Sequence, residues 1–293
     1  MAAFRLKMAT QLGEKIATEH GFSCLPIDPM IIAKSKNIGV VCKPPDVEGV
    51  SGAFILTNNE CTIIYSSTLG NAGFERFSIA HELGHYFLAG HPEEIIAKGG
   101  MHVSRANFTE ASSIEIEADH FASGLLLPAK LTKDFLDSSQ LGLDGIVALA
   151  KEAGCSITAA AIRAAECSSR PISVVVSRAN AVSYAFTSDN FKSLGNLSFL
   201  RKGMHLPNTA TKRFNADPSN ITAAKQLCDE TDLNVWFDGS RHVKLDEEVI
   251  GLGKYGFTLT VLSGESLPED PLEDDDSEES LVENWKPKFA YGR

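Results

Sequence analysis

The apolar positions change period several times along the first 130 residues. Phe4, Met8, Leu12 and Ile16 recur every four residues, which predicts an amphipathic helix over residues 3–19 that ends at His20-Gly21. Asp28 is placed to cap a short helix that has Pro29 in its first turn and runs through Ile31, Ile32 and Ala33. Residues 39–42 are a short apolar run read as a strand. Segments 52–57 and 61–67 flank the turn-prone pair Asn58-Asn59 as a hairpin would. The helical period then returns twice. Phe77, Ile79, Ala80, Leu83, Phe87 and Leu88 predict a buried helix over residues 74–90. Ala118, Phe121, Ala122, Leu125 and Leu126 predict another over residues 114–127, stopped by Pro128. Residues 92–113, with Gly99-Gly100 and few periodic apolar positions, are read as a loop near whatever those two helices build.

Beyond Pro128, residues 142–166 predict two short helices across a break at Gly154, a helix-turn-helix arrangement. DNA reading needs basic and polar side chains on the second helix, and this one offers Arg163 among alanines. Support of the preceding helices is the better use of the segment, and direct DNA binding is not expected. Residues 172–177 and 181–186 read as strands. So do 233–237, 242–245 and 257–262, with a modest helix at 220–229.

The chain has 293 residues, 43% hydrophobic and 22% charged, with a net charge of −11. Ten of its acids fall in residues 265–283 without a basic residue, so the body is near neutral and residues from 265 onward are expected to be a disordered tail. This balance excludes broad affinity for a polyanion. Six cysteines, Cys24, Cys42, Cys61, Cys155, Cys167 and Cys228, form no C-x-x-C pair and read as reduced thiols. The N-terminal apolar residues are interrupted by Arg5, Lys7 and Lys15, and no run approaches the ~20 apolar residues of a membrane span. A cytoplasmic protein with no membrane partner is expected; the oligomeric state is left open.

The chemistry concentrates in His81-Glu82-Leu83-Gly84-His85. Residues four apart share one helix face, so the two imidazoles can converge on a metal ion, and Glu82 beside them can take a proton from water. On the second helix Glu115 and Asp119 lie four apart on the face of Ala118 and Ala122. Glu115 is the candidate third ligand, with Asp119 as hydrogen-bond partner to the outer nitrogen of a ligating histidine. Glu117 points away by helical rotation and is read as solvated. His91 stands where a third histidine would complete H-E-x-x-H-x-x-G-x-x-H, but that pattern requires glycine at position 88, which is Leu88 here. His91, His102 and His120 are therefore read as surface histidines or as partners that touch the ligands from behind. A helper for the developing oxyanion is also expected, with Tyr86, Tyr65 and His120 as candidates that spacing does not separate.

Two blocks, Arg76-Phe77-Ser78-Ile79-Ala80-His81-Glu82-Leu83-Gly84-His85 and Glu115-x-x-Ala118-Asp119-x-Phe121-Ala122-x-x-Leu125-Leu126-Leu127-Pro128, together resemble the ImmA/IrrE-type zinc metallopeptidases. They cover about a quarter of the chain. Asp119 and Leu127 stand where the family often has Asn and Met. The resemblance implies gluzincin-like coordination of one zinc ion per chain by His81, His85 and Glu115, with Glu82 as general base. It also implies a helix-turn-helix repressor as protein substrate, cut to release stress-response or mobile-element genes. The expected fold class is α+β. Its parts are a zincin-like metallopeptidase domain with a small mixed sheet at 1–138, a helix-turn-helix-like segment at 139–170, an α/β sensor or docking domain at 171–264, and the acidic tail at 265–293. A GAF-like domain takes the third position in some longer relatives. The alternative is a non-proteolytic regulatory protein that docks a repressor or DNA through its middle and C-terminal parts.

Overall fold

A computed structural model of the chain describes residues 2–43, 50–57, 60–67, 71–105, 113–195, 197–238 and 242–264. The Asn58-Asn59 turn and the acidic tail lie outside the described residues. The fold is α+β. Its first half runs α1 (Ala2–Glu19), α2 (Pro29–Ser35), β1 (Gly39–Cys42), β2 (Val50–Thr57), β3 (Glu60–Tyr65), α3 (Ala72–Phe87), α4 (His91–Ala97), β4 (Met101–Arg105) and α5 (Ser113–Leu126). The Asp28 carboxylate accepts from Met30 N at 2.9 Å and so starts α2, and Asn71 caps α3 in the same way through Phe74 N at 3.1 Å. The four strands order as β1-β3-β2-β4, with β1 parallel to β3 and the other pairs antiparallel.

Of the stretch 92–113 read as a loop, residues 92–105 lie instead in a helix and an edge strand, and residues 106–112 are outside the described residues. The glycine pair that suggested a loop is the turn between them. Gly99 and Gly100 both have positive φ, and a Cβ on Gly100 would strike Leu56 O, so the chain returns tightly onto β2. Strand β4 escaped notice because its alternation is inverted. Met101 and Val103 face outward and are exposed, while His102 and Ser104 face inward between the sheet and the helices. The hairpin strands β2 and β3 are therefore interior, and β4 is the edge beside the helices.

Helix α1 also packs on an unexpected face. Phe4 and Met8 are exposed, while Ala9, Gly13, Ile16 and Ala17 are buried. The neighbour, α5, comes too close for large side chains. A Cβ at Gly13 would meet Phe121 O, and one at Gly124 would meet Thr10 O. Backbone contact of this kind selects small residues over a stripe of bulky ones.

The second half continues with α6 (Ala129–Asp137), α7 (Leu143–Ala153), α8 (Ile157–Cys167), β5 (Ile172–Arg178), β6 (Ala181–Thr187), α9 (Asp189–Lys192), α10 (Ala210–Asn215), α11 (Pro218–Thr222), β7 (Gln226–Asp232), α12 (Leu233–Trp236), β8 (Lys244–Gly251) and β9 (Thr258–Ser263). Helices α7 and α8 meet at 113°, the angle of a helix-turn-helix. Yet α8 buries Ala160, Ala161, Arg163, Ala164 and Ala165 and leaves only the acidic Glu166 exposed, so it presents no face that could read DNA. Arg163 donates to Leu127 O at 2.8 and 3.0 Å and pairs with Glu14 at 2.6 Å and Glu166 at 2.8 Å. It ties α8 to α1 and to the end of α5. Helix α7 is gripped at both ends: Leu143 N donates to Glu248 on β8 at 2.8 Å, and Arg76 on α3 donates to Ala153 O and Gly154 O.

Strands β5 to β9 form an antiparallel sheet in the order β6-β5-β9-β8-β7. Val174 and Val176 pack into the same core as α3, α5 and α8, whereas Val175 faces a second core with Phe191, Trp236 and Leu262. Two expectations fail in this half. Residues 220–229 are the end of α11 followed by β7, and the supposed strand at 233–237 is the helical turn α12. Strand β7 is a sheet edge, exposed along most of its length and polar accordingly. In α12, Leu233 and Trp236 lie three apart and are both buried, a helical spacing within an apolar run. Among the described residues no single helix is long and apolar enough to cross a membrane.

Gly124→Ala drives a methyl into the Thr10 carbonyl and is expected to destabilise the fold by about 1–3 kcal/mol, the usual cost of overpacking. The midpoint of urea unfolding measures it.

Candidate metal centre

Helices α3 and α5 touch through their backbones. A Cβ on Gly84 would stand 3.1 Å from Ala118 Cα, closer than side chains normally approach. This contact lies between His81 and His85 on one helix and opposite Glu115, one turn earlier, on the other. His81 Nε2 and His85 Nε2 are 3.2 Å apart, and the Glu115 oxygens lie 3.5 Å from the first and 3.3 Å from the second. One donor atom from each of the three residues lies within 4.8 Å of the others, so the set could hold a metal ion. The His81 Nδ1 is 2.8 Å from Asp119 Oδ1. An ionised carboxylate only accepts, so Nδ1 carries a proton; the Nε2 that faces the other two groups would offer its lone pair to a metal only in the neutral form of the ring.

The electrostatics favour a cation at this point. Burial opposes the charged form of His81, but its hydrogen bonds to Asp119 and Glu115 outweigh that and raise its pKa. At His85 burial prevails and lowers the pKa. Burial also works against an ionised Glu115, yet hydrogen bonds from His102, His81 and His85 hold it far below the usual carboxylate range. Two buried imidazoles and an ionised carboxylate whose donor atoms meet at one point make a place where a divalent ion could sit. Two nitrogens and one oxygen are a donor set suited to zinc with an open position.

Glu82 is fully buried, and among the described residues only the Ser104 hydroxyl on β4 lies near enough to stabilise its charge, short of a regular hydrogen bond to either carboxylate oxygen. Burial pushes its pKa up to about 7, against the pull of the His81 charge. An unpaired buried carboxylate costs on the order of 1–3 kcal/mol or more, so its persistence calls for a use. The space it occupies exists because residue 52 on β2 is glycine: a Cβ there would collide with Glu82 Oε1.

Of the three oxyanion candidates, Tyr65 pairs with Gly52 across β2 and β3, which puts it on the sheet face that Glu82 lies against. Tyr86 packs edge-on against Phe87, with ring centroids 5.0 Å apart. His120 turns to Thr10 on α1, at 3.3 Å. Three further residues complete the surroundings, of which only Glu117 was expected in solvent. His102 on β4 approaches Glu115 Oε1 at 2.5 Å. His91, at the start of α4, is 1% exposed, with its Nδ1 3.1 Å from His85 Nδ1. Glu117 is not solvated: it is buried, 2.9 Å from Arg5 and 3.4 Å from His91. Helical rotation does turn Glu117 away from Glu115, but the far side of α5 is covered by α1 and α4 and not by water. The six-position step from His85 to His91 was the available sequence signal for the latter; His102 and Glu117 carried none.

Residues 36–165 match the sequence model of Peptidase_M78, described as the IrrE N-terminal-like domain. The chain carries a Peptidase_M78 domain. All three candidate ligands and Glu82 fall inside the matched residues, and the match suggests a metallopeptidase. Comparison with curated proteins finds no match. Among solved structures, a Mycobacterium tuberculosis transcriptional regulator is similar over 87% of this chain and 76% of that one, with a TM-score of 0.55 and 14% identity. That likeness is one of fold, and it extends well past the Peptidase_M78 domain into the C-terminal sheet.

Glu115→Ala removes one of the three candidate ligands and leaves both histidines. It is expected to weaken divalent-metal binding by more than the ~100-fold ceiling typical of losing an outer partner, as read by titration against a chelator.

Proposed function

We propose that the chain is a zinc-dependent endopeptidase in which His81, His85 and Glu115 hold the metal and Glu82 is the general base. The observation that carries this reading is the Glu82 carboxylate, fully buried beside the convergent candidate ligands with no regular hydrogen bond and only the Ser104 hydroxyl near it. A purely structural metal site needs ligands but no such base. When bound, zinc supplies Lewis-acid chemistry, polarising a peptide carbonyl and acidifying water. Glu82 takes the proton from the attacking water and later delivers it to the leaving amine. Asp119 holds His81 in its ligating tautomer, and Tyr65, from the sheet face beside Glu82, is the best placed of the three candidates to support the oxyanion.

The substrate would bind extended. Strand β4 is an edge whose inward residue His102 reaches Glu115, so a peptide added alongside β4 by backbone pairing would pass the metal. As for its identity, the family resemblance supports a helix-turn-helix repressor, cut in the cytoplasm to release stress-response or mobile-element genes, and the fold shared with a transcriptional regulator is consistent with that setting. The residues 171–264 are read as a sensor or docking domain of GAF-like kind, an inference from fold alone.

Glu82→Gln is expected to keep about one zinc per chain while kcat falls by about 10²–10⁴, the range for loss of a general base. The variant should also retain a substrate it does not cut, identifiable by mass spectrometry. Equal relief of repression by wild type and variant, with the repressor intact in both, would overturn the proteolytic reading in favour of regulation by binding.

A further inference from the structure

We propose that His91 and Glu117 are positioning residues for the metal, forming with Arg5 a relay that holds His85 in its ligating tautomer. The inference rests on the metal reading above and concerns a histidine that Asp119 does not reach. His85 Nδ1 lies 3.1 Å from His91 Nδ1, His91 Nε2 lies 3.4 Å from Glu117 Oε2, and Arg5 Nη2 donates to that same oxygen at 2.9 Å.

Only one arrangement of protons satisfies every contact while leaving a ligand for the metal. His85 must keep the Nε2 lone pair free, since Nε2 faces His81 and Glu115, so its proton is on Nδ1. His91 then accepts at Nδ1 and carries its own proton on Nε2, where the acceptor is Glu117. The carboxylate ends at the Arg5 guanidinium, a donor with no acceptor capacity. Both His91 nitrogens are engaged in this chain, which is why His91 is not the third ligand despite its spacing.

The relay draws one residue from each of four helices, α3, α4, α5 and α1, and its inner members are shut from water: His91 is 1% exposed and the Glu117 side chain 7%. Buried polar groups arranged with matching donors and acceptors fix orientation, and partners behind a ligating histidine raise metal affinity. The two ligating histidines are thus held by different devices. His81 leans directly on a carboxylate, whereas His85 reaches one only through a neutral imidazole.

The test uses the full chain, with zinc affinity measured by chelator competition and histidine ring protonation by ¹⁵N NMR of the zinc-loaded protein. His91→Leu is expected to bind zinc about 10- to 100-fold more weakly. His91→Asn places an amide oxygen near the position of Nδ1 and is expected to stay well inside the ~10-fold lower bound of that loss. In the wild type, His91 should be protonated on Nε2 and bare on Nδ1. Unchanged affinity in folded His91→Leu would overturn the relay. So would a tenfold or larger loss in folded His91→Asn, or a proton on His91 Nδ1 in the wild type. Should His91→Leu fail to fold, His91→Asn and the wild-type spectrum decide. A wild type that takes up no zinc refutes the metal reading itself, an outcome distinct from all of these.

Discussion

Everything at the metal centre depends on how near α3 and α5 can come. Their contact at Gly84 and Ala118 leaves no room for a larger residue on the α3 side. Two imidazoles from one helix and a carboxylate from another meet only because the backbones do. The fourth letter of His81-Glu82-Leu83-Gly84-His85 is therefore as constrained as the ligands, though it bears no chemistry. The constraint spreads outward, for α5 is also pressed against α1 through Gly13 and Gly124. A helix confined on both sides by backbone has little freedom to rotate, and its angular setting decides whether Glu115 faces the histidines.

Legibility followed the same geometry. The convergence of the three candidate ligands was readable because both helices are long, periodic and buried, so that residues four apart identify a shared face. The failures came where one side of an element was assumed to be solvent. Glu117 was sent to water by its rotation from Glu115, when α1 and α4 stand there. The bulky stripe of α1 was taken as its core face, when close packing had selected Ala9, Gly13 and Ala17. Strand β4 was invisible because a functional site lies on its inner side and reverses the usual alternation. In the C-terminal half, β7 reads as polar because it is an edge, and the apolar run at 233–237 looks the same as a strand or as a turn of helix.

The polar groups around the centre differ in how much of their hydrogen-bonding capacity is used. Asp119, His102, His91 and Glu117 each have a partner at 3.4 Å or less. Glu82 has only the Ser104 hydroxyl near it, short of a regular hydrogen bond. Matched partners hold the groups around it in place and leave Glu82 the least restrained of these acids. Gly52 contributes by absence, since the sheet could hardly have come so close to α3 with any side chain at that position.

Helix α7, with Glu248 at its first turn and Arg76 at its last, joins the C-terminal sheet to the first turns of α3. An acid at the amino end and a guanidinium at the carboxyl end also match the helix dipole. Eleven residues of helix span about 16 Å, so α7 acts as a strut of fixed length, pinned at both ends by its own backbone. The two sheets consequently share a mechanical frame: displacement of β8 along the strut must either carry the start of α3 with it or unseat one of the pins.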